Sequence, residues 1–248
     1  LRHAVSKLSH FHFVANDEAA ARVRQMGEQP ENIFVIGSPD IDVMRSDTLP
    51  SLERVKQYYE IGYDNYAIAM FHPVTTELDS MENNAKKFVS ALLKDTNNYI
   101  VIYPNNDEGT THILDAYKSL ANNKRFRVYP SIKFERFLVL LKNAKFCIGN
   151  SSAGVREAPF YGVPTVNVGT RQLNRYSHAS IINCGYDTPD ILRAIAETSA
   201  IGAVDISSPF GKGESVKGFM DVITRDSCWN TSPQKQFLDL PHIVRERA

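Results

Sequence analysis

The stretch Lys145-Phe-Cys-Ile-Gly-Asn-Ser-Ser-Ala-Gly-Val-Arg-Glu157 runs from an apolar strand through small polar residues into a helix-compatible segment. In a parallel sheet such a junction lies at the carboxyl edge, where free backbone N–H groups and the positive end of a helix meet anions. Ser151 and Ser152 add hydroxyl donors, and Gly154 has no Cβ to obstruct a close approach of the backbone. A phosphate suits these features. Glu157, in the first turns of the helix, is placed to accept two hydrogen bonds from a ribose diol. Plainer readings stand beside these: Ser152 as a helix cap, and Glu157 as an acid favoured near a helix N-terminus, need no ligand.

Working outward, short apolar runs at 66–71, 99–103, 126–129, 145–148, 165–168 and 180–183 read as strands. Between them Met81, Ala85, Phe88, Val89, Leu92 and Leu93 recur at helical spacing, as do Phe134, Phe137, Leu138 and Leu141. This alternation predicts an α/β domain, a doubly wound parallel sheet with helices on both faces. Thr188-Pro189-Asp190 supplies a cap, a proline at the first helical position and a first-turn acid for a helix through Ile195. Upstream, a strand at 11–14, a helix at 17–26 capped by Asn16 and stopped by Gly27, and a strand at 33–36 read as one more βαβ unit. Gly37-Ser38-Pro39 breaks the pattern, and 40–64 is polar and less regular. The expected organisation is therefore the end of one domain at 1–38, a connection at 39–65, a second domain at 66–224 and a surface tail at 225–248. Leu1-Arg2-His3 reads like the interior of an element, so the chain is expected to begin partway through a longer protein.

Composition narrows the function classes. The 28 Lys and Arg balance 28 Asp and Glu, so no global field favours nucleic acid or an anionic membrane. Any anionic ligand must be held locally. Cys147, Cys184 and Cys228 lack the spacing of a zinc site or a disulfide framework, which points to a reducing compartment. No apolar run approaches the roughly 20 residues needed to span a bilayer, and a cytoplasmic location is expected. The glycosylation triplets at Asn150 and Asn230 are discounted as chance matches.

Three further segments end candidate strands at the same sheet edge. Met70-Phe-His-Pro-Val-Thr-Thr76 places His72 where ligands bind in open α/β sheets; as an imidazolium it would neutralise a leaving phosphate. Ile102-Tyr-Pro-Asn-Asn-Asp-Glu-Gly109 gathers amides and carboxylates that are also ordinary turn formers. Val168-Gly-Thr-Arg171 adds an arginine to pair with phosphate or brace Glu157. His10 and His12 read as a surface pair, without the acids or cysteines a metal would need.

Taken together, HPVTT at 72–76, GNSSAGVRE at 149–157 and GTRQ at 169–172 resemble the hydrolysing UDP-N-acetylglucosamine 2-epimerases of sialic-acid biosynthesis. RHAVSKLSH at 2–10, GSPDID at 37–42 and YPNNDEG at 103–109 extend the likeness to about Leu1–Gly218. The resemblance implies a GT-B-like fold: a C-terminal Rossmann-like domain that binds UDP, preceded here by the last part of an N-terminal Rossmann-like domain. It implies that Ser151 and Ser152 hold the diphosphate, Glu157 the ribose hydroxyls and His72 the phosphate of leaving UDP. Asn105 would line the cleft, Phe134 or Phe137 would pack by the uracil, Arg171 would support the site, and Asp42 would lie near the interdomain hinge. UDP and a UDP-N-acetylhexosamine are the implied ligands, with no metal or other cofactor and a homodimer as the full-length protein. UDP leaves by elimination across C1 and C2, and the resulting glucal is hydrated to N-acetylmannosamine. By the same resemblance the proton-transfer acids lie ahead of the segment matching Leu1-Arg2-His3, so the chain alone is expected not to epimerise. The alternatives are a hydrolysing UDP-N,N'-diacetylbacillosamine 2-epimerase, a GT-B glycosyltransferase and a noncatalytic nucleotide-binding module.

Overall fold

The structure is a computed structural model that describes residues 2–201 and 209–239. In their described parts, Leu1–Asp47 and Ser208–Ala248 form one compact unit and Thr48–Ser207 another. The first unit opens with α1 (Arg2–Leu8), β1 (His12–Val14), α2 (Asp17–Gln25), β2 (Ile33–Val35) and α3 (Pro39–Met44). The expected βαβ unit is present, with β1 and β2 parallel and Phe13 opposite Phe34. Asn16 caps α2 as expected, its side chain accepting the Ala19 N–H at 2.9 Å.

The second unit contains α4 (Leu52–Tyr58), β3 (Ala67–Met70), α5 (Leu78–Lys94), β4 (Tyr99–Ile102), α6 (Thr110–Tyr117), β5 (Phe126–Tyr129), α7 (Phe134–Lys142), β6 (Cys147–Gly149), α8 (Glu157–Phe160), β7 (Thr165–Val168), β8 (Ile181–Cys184) and α9 (Thr188–Thr198). All six strands are parallel, in the order β5-β4-β3-β6-β7-β8. This is a doubly wound order: the sequence of strands reverses between β3 and β6, leaving a crevice outside their carboxyl ends. Ala67, Ala69, Tyr99, Val101, Ile148 and Val166 share one apolar cluster with Phe88, Leu92 and Ile191 from α5 and α9. The alternate residues Ile68, Ile100 and Cys147 are also buried, and the pleat turns them to the opposite face. Sheets covered on both faces give such near-continuous apolar strands.

Two local expectations shift. Residues 40–64, read as irregular, hold α3 and α4. Each buries only one or two apolar side chains, Ile41 and Met44 in α3 and Val55 in α4, too few to make a stripe visible in sequence. Thr188 is not the cap of α9; Asp187 occupies that position, while the Thr188 hydroxyl donates to the Lys87 carbonyl at 3.0 Å.

The carboxyl-terminal part also departs from the expected division. Helices α10 (Ser215–Ile223) and α11 (Asp226–Trp229) belong with the first unit, where the Phe219 ring packs on Phe13 at 4.8 Å. Residues 202–208, expected in the second domain, and 240–248, expected in the tail, lie outside the described residues. The described tail is anchored: the Lys235 ammonium donates to the Lys7 carbonyl at 2.8 Å and pairs with Glu28 at 2.7 Å. Asp42 caps α10, its carboxylate accepting the Ser215 and Val216 N–H groups at 3.0 Å each. Burial alone would raise the Asp42 carboxyl; the Val216 and Ser215 N–H groups outweigh it and hold the group below its usual range.

His12 is not a surface residue. It is 7% exposed, and its Nε2 lies 3.0 Å from Glu28, which is 2% exposed and also meets Lys7 at 2.7 Å. An acid 16 positions downstream supplies what sequence spacing could not show. Burial alone would raise the Glu28 carboxyl, but Lys235, Lys7 and His12 overcome it and lower it from 4.5 to about 2. The folded value lies below the unfolded one, so this contribution is full above pH 4.5 and lost as pH falls toward 2. Melting curves of Glu28→Gln between pH 7 and pH 2 are expected to show a weaker acid dependence than wild type; superimposable profiles would contradict this account.

Candidate functional site

The loops after four neighbouring strands meet at the carboxyl edge of the sheet. The His72 N–H donates to the Asn150 Oδ1 at 2.6 Å, and the Asn150 Nδ2 donates back to the His72 carbonyl at 2.9 Å. The Asn150 N–H reaches the Met70 carbonyl at 3.1 Å, continuing the pairing of β3 with β6. On its other side, the Asn150 carbonyl accepts from Arg171 Nη1 at 3.1 Å and Gln172 Nε2 at 2.9 Å. The Asn105 N–H, after β4, donates to His72 Nδ1 at 3.1 Å. His72, Asn105, Arg171 and the segment bearing Ser151 and Ser152 are thus brought together. Phe134 opens α7 beyond β5 and is 39% exposed, whereas Phe137 is 7% exposed and belongs to the core.

The phosphate cradle read at 149–157 has a different build. A 3-10 turn at Ser152–Gly154 precedes a separate four-residue α8 that begins at Glu157, so no long helix points at the crevice. Ser151, not Ser152, is the cap, its hydroxyl accepting the Ala153 N–H at 3.4 Å. Gly154 faces the protein: a Cβ there would lie 2.7 Å from Thr165 Cγ2. Its missing side chain serves packing against β7 rather than ligand approach. Gly149 has φ +131°, and a Cβ there would come within 1.9 Å of the Met70 carbonyl oxygen.

Charge at the site also differs from expectation. Burial, then the nearby Arg171, lowers His72 from 6.5 to about 4 against opposing effects of Asn105 and Asp107. The imidazole is therefore neutral at pH 7 in the ligand-free protein, not an imidazolium. Because Nδ1 receives the Asn105 N–H, the ring proton sits on Nε2. Burial, followed by the Arg175 charge, lowers Arg171, while Asp107 opposes the change. Arg171 still carries its charge at neutral pH. Burial and then the Glu157 carboxylate push the Cys147 thiol up to about 12, and the same two causes push the Tyr161 phenol up to about 12. Glu157 thus adds negative charge beside the end of β6.

Residues 1–224 match the family described as UDP-N-acetylglucosamine 2-epimerase. The chain belongs to that family. It is 51% identical over 243 residues to the "UDP-N-acetylglucosamine 2-epimerase" of Neisseria meningitidis serogroup B, covering 97% of this chain and 64% of that relative. It is 30% identical over 216 residues to the "UDP-N,N'-diacetylbacillosamine 2-epimerase (hydrolyzing)" of Legionella pneumophila, covering 87% and 57% of the two chains. A solved UDP-GlcNAc 2-epimerase from Neisseria meningitidis, bound to UDP-GlcNAc, superposes with a TM-score of 0.69 at 16% identity, over 88% of this chain and 62% of that one. The chain thus spans less than two thirds of the length of these relatives. Its fold is α/β and GT-B-like, with the doubly wound Rossmann-like sheet of the second unit as its largest part.

Within this epimerase-family chain, sequence reasoning overlooked the residues that hold the loops. Asn150 lay within the GNSSAGVRE motif but was given no role of its own beyond a discounted glycosylation triplet; it is fully buried and has no room for a glycan. Glu77 accepts hydrogen bonds from the Thr170 hydroxyl and, at 2.7 Å, from the Tyr186 hydroxyl, joining the loop after β3 directly to those after β7 and β8. Glu77 and Tyr186 stand 109 positions apart, and neither lies in a motif that singles it out. The GTRQ string at 169–172 contained the one available signal, Gln172 beside Arg171.

Proposed function

We propose that these 248 residues are the UDP-binding portion of a hydrolysing UDP-N-acetylglucosamine 2-epimerase that converts UDP-N-acetylglucosamine to N-acetylmannosamine and UDP. The observation that carries this reading is the meeting of His72, Asn150-Ser151-Ser152 and Arg171 at the point where the strand order reverses. The family membership and the 51% identical relative support it.

On this reading the Ser151 and Ser152 hydroxyls and the Arg171 guanidinium take the diphosphate, and Glu157 accepts the ribose hydroxyls. Asn105 lines the cleft beside His72. Phe134 flanks the uracil, because Phe137 is committed to the core. His72 presents its Nε2–H to a phosphate oxygen as a neutral donor. As the C1–O bond breaks, negative charge grows on the departing phosphate, and the hydrogen bond from the neutral His72 Nε2–H strengthens with it, stabilising the leaving group without a proton transfer. Abstraction of the C2 proton and hydration of the glucal need carboxylates from outside these residues, so the chain alone binds without turnover. Homodimerisation and a place in sialic-acid synthesis belong to the same reading of the longer protein.

The test is calorimetric titration of the 248-residue chain with UDP, for which saturable binding is expected. No detectable heat across pH 5.5 to 8 would overturn the reading. A UDP-N,N'-diacetylbacillosamine 2-epimerase is the second reading, supported by the 30% identical relative of that activity. The higher identity favours the first, and release of UDP from each sugar nucleotide by the longer protein decides between them.

A further inference from the structure

The loops after β3 and β7 are both fastened to one residue of the loop after β6, Asn150. Asn150 is 0% exposed, yet its amide is satisfied at both ends by the backbone of a single residue, His72, 78 positions away. Its own N–H is held by the Met70 carbonyl, and its carbonyl receives Arg171 and Gln172. Gln172 is 1% exposed and spends its Nε2 on this contact. Both cation-bearing or proton-bearing groups of the proposed diphosphate site, Arg171 and His72, are thereby fixed to one residue.

We propose that Asn150 is the positioning residue of this site: its side-chain amide sets where His72 faces a bound diphosphate, while its main-chain carbonyl receives the Arg171 guanidinium. The inference rests on the UDP-binding reading for its ligand but on the hydrogen bonds alone for its geometry. The asparagine amide supplies an acceptor for the His72 N–H and a donor for the His72 carbonyl on two separate atoms. Aspartate would set an oxygen against that carbonyl, and leucine would leave both groups buried without partners. The pivot works because Gly149, immediately before Asn150, lets the end of β6 approach β3 closely enough for the Asn150 N–H to reach Met70. The charged groups acting on His72 are Arg171 and Asp107, and Arg175 acts on Arg171.

Asn150→Ala removes the clip without adding a charge near His72, and readouts taken on folded protein separate positioning from the stability it also costs. In the folded variant, UDP binding by calorimetry is expected to weaken by about 10- to 100-fold, the range for lost support of ligand-holding groups. Histidine side-chain NMR is expected to show His72 titrating upward from about 4 toward its ordinary 6.5 as the ring leaves its buried place. A merely structural role would lower the melting temperature without moving that titration in folded molecules. Wild-type UDP affinity together with an unmoved His72 titration would overturn the proposal.

Asn150→Ser, which puts a single hydroxyl in place of the amide, is expected to fall between wild type and alanine on both readouts. Should neither variant fold, hydrogen exchange on the wild-type chain decides: the His72 amide is expected to be protected although it lies in a loop, and rapid exchange there would refute the clip. If wild-type chain fails to bind UDP, the function reading falls, while the His72 titration and exchange still judge Asn150.

Discussion

Glu157→Ala is expected to weaken UDP binding to this chain by about 100-fold, close to 2.7 kcal/mol. A carboxylate that accepts two hydroxyl hydrogen bonds contributes about 1.5–3 kcal/mol for each charged hydrogen bond before its own desolvation is subtracted. Glu157 is already half-buried in the ligand-free chain, and its charge is felt by Cys147 and Tyr161, so much of that desolvation is incurred on folding. Ligand binding then gains the hydrogen bonds at little further cost. Lys118→Ala is the control: Lys118 is exposed and pairs along its own helical turn with Asp115, and its loss is expected to leave UDP affinity unchanged. Calorimetric titration of both variants checks the difference. Equal effects would remove Glu157 from the ribose site and restore its plainer role as an acid near a helix N-terminus.

Gly149→Ala is expected to be the most destabilising single methyl addition in the second unit, by about 4 kcal/mol or more. A Cβ at this position would sit 1.9 Å from the Met70 carbonyl oxygen, a backbone atom in a paired strand that has nowhere to move. The backbone also holds φ +131°, which residues with a Cβ rarely adopt. Relief requires β3 and β6 to separate at Met70 and Gly149, the step of the ladder from which His72 and Asn150 project. A loss of that size lowers the melting temperature by roughly 8–16 °C in a chain of this length. Gly62→Ala supplies the comparison, because a Cβ there meets nothing within 4 Å. If thermal melts of the two variants coincide, the steric account of Gly149 is wrong.

These outcomes bear on how much could be read before the structure. Every expected strand of the second unit is present, with ends that coincide or shift by at most two residues, because the central strands, buried between two helical layers, are largely apolar and announce themselves locally. The helical stripe from Met81 to Leu93 was legible for the same reason, and Asn16 and Gly27 marked the limits of α2 through chemistry confined to a few adjacent residues. The candidate site was legible as a set of strand-ending segments, since the carboxyl edge of a parallel sheet is where its loops commonly carry function.

The sequence by itself thus determined the α/β class, the positions of the strands and the residues gathered at their ends, all properties written in windows of a few positions. Only the tertiary structure decided what those residues do to one another. Strand order made His72 and Asn150 neighbours, and burial, then the Arg171 charge, drew the imidazole down from 6.5 to about 4. It likewise placed His12 against Glu28 and joined Lys235 to the same carboxylate across more than 200 positions. It also split the expected phosphate helix into a 3-10 turn and a short α8, with Gly154 turned toward Thr165. Such outcomes depend on which distant backbone and charge arrive beside a polar residue. An asparagine that clips two strands and one that decorates a surface turn are the same letter until the fold brings a partner to both ends of its amide.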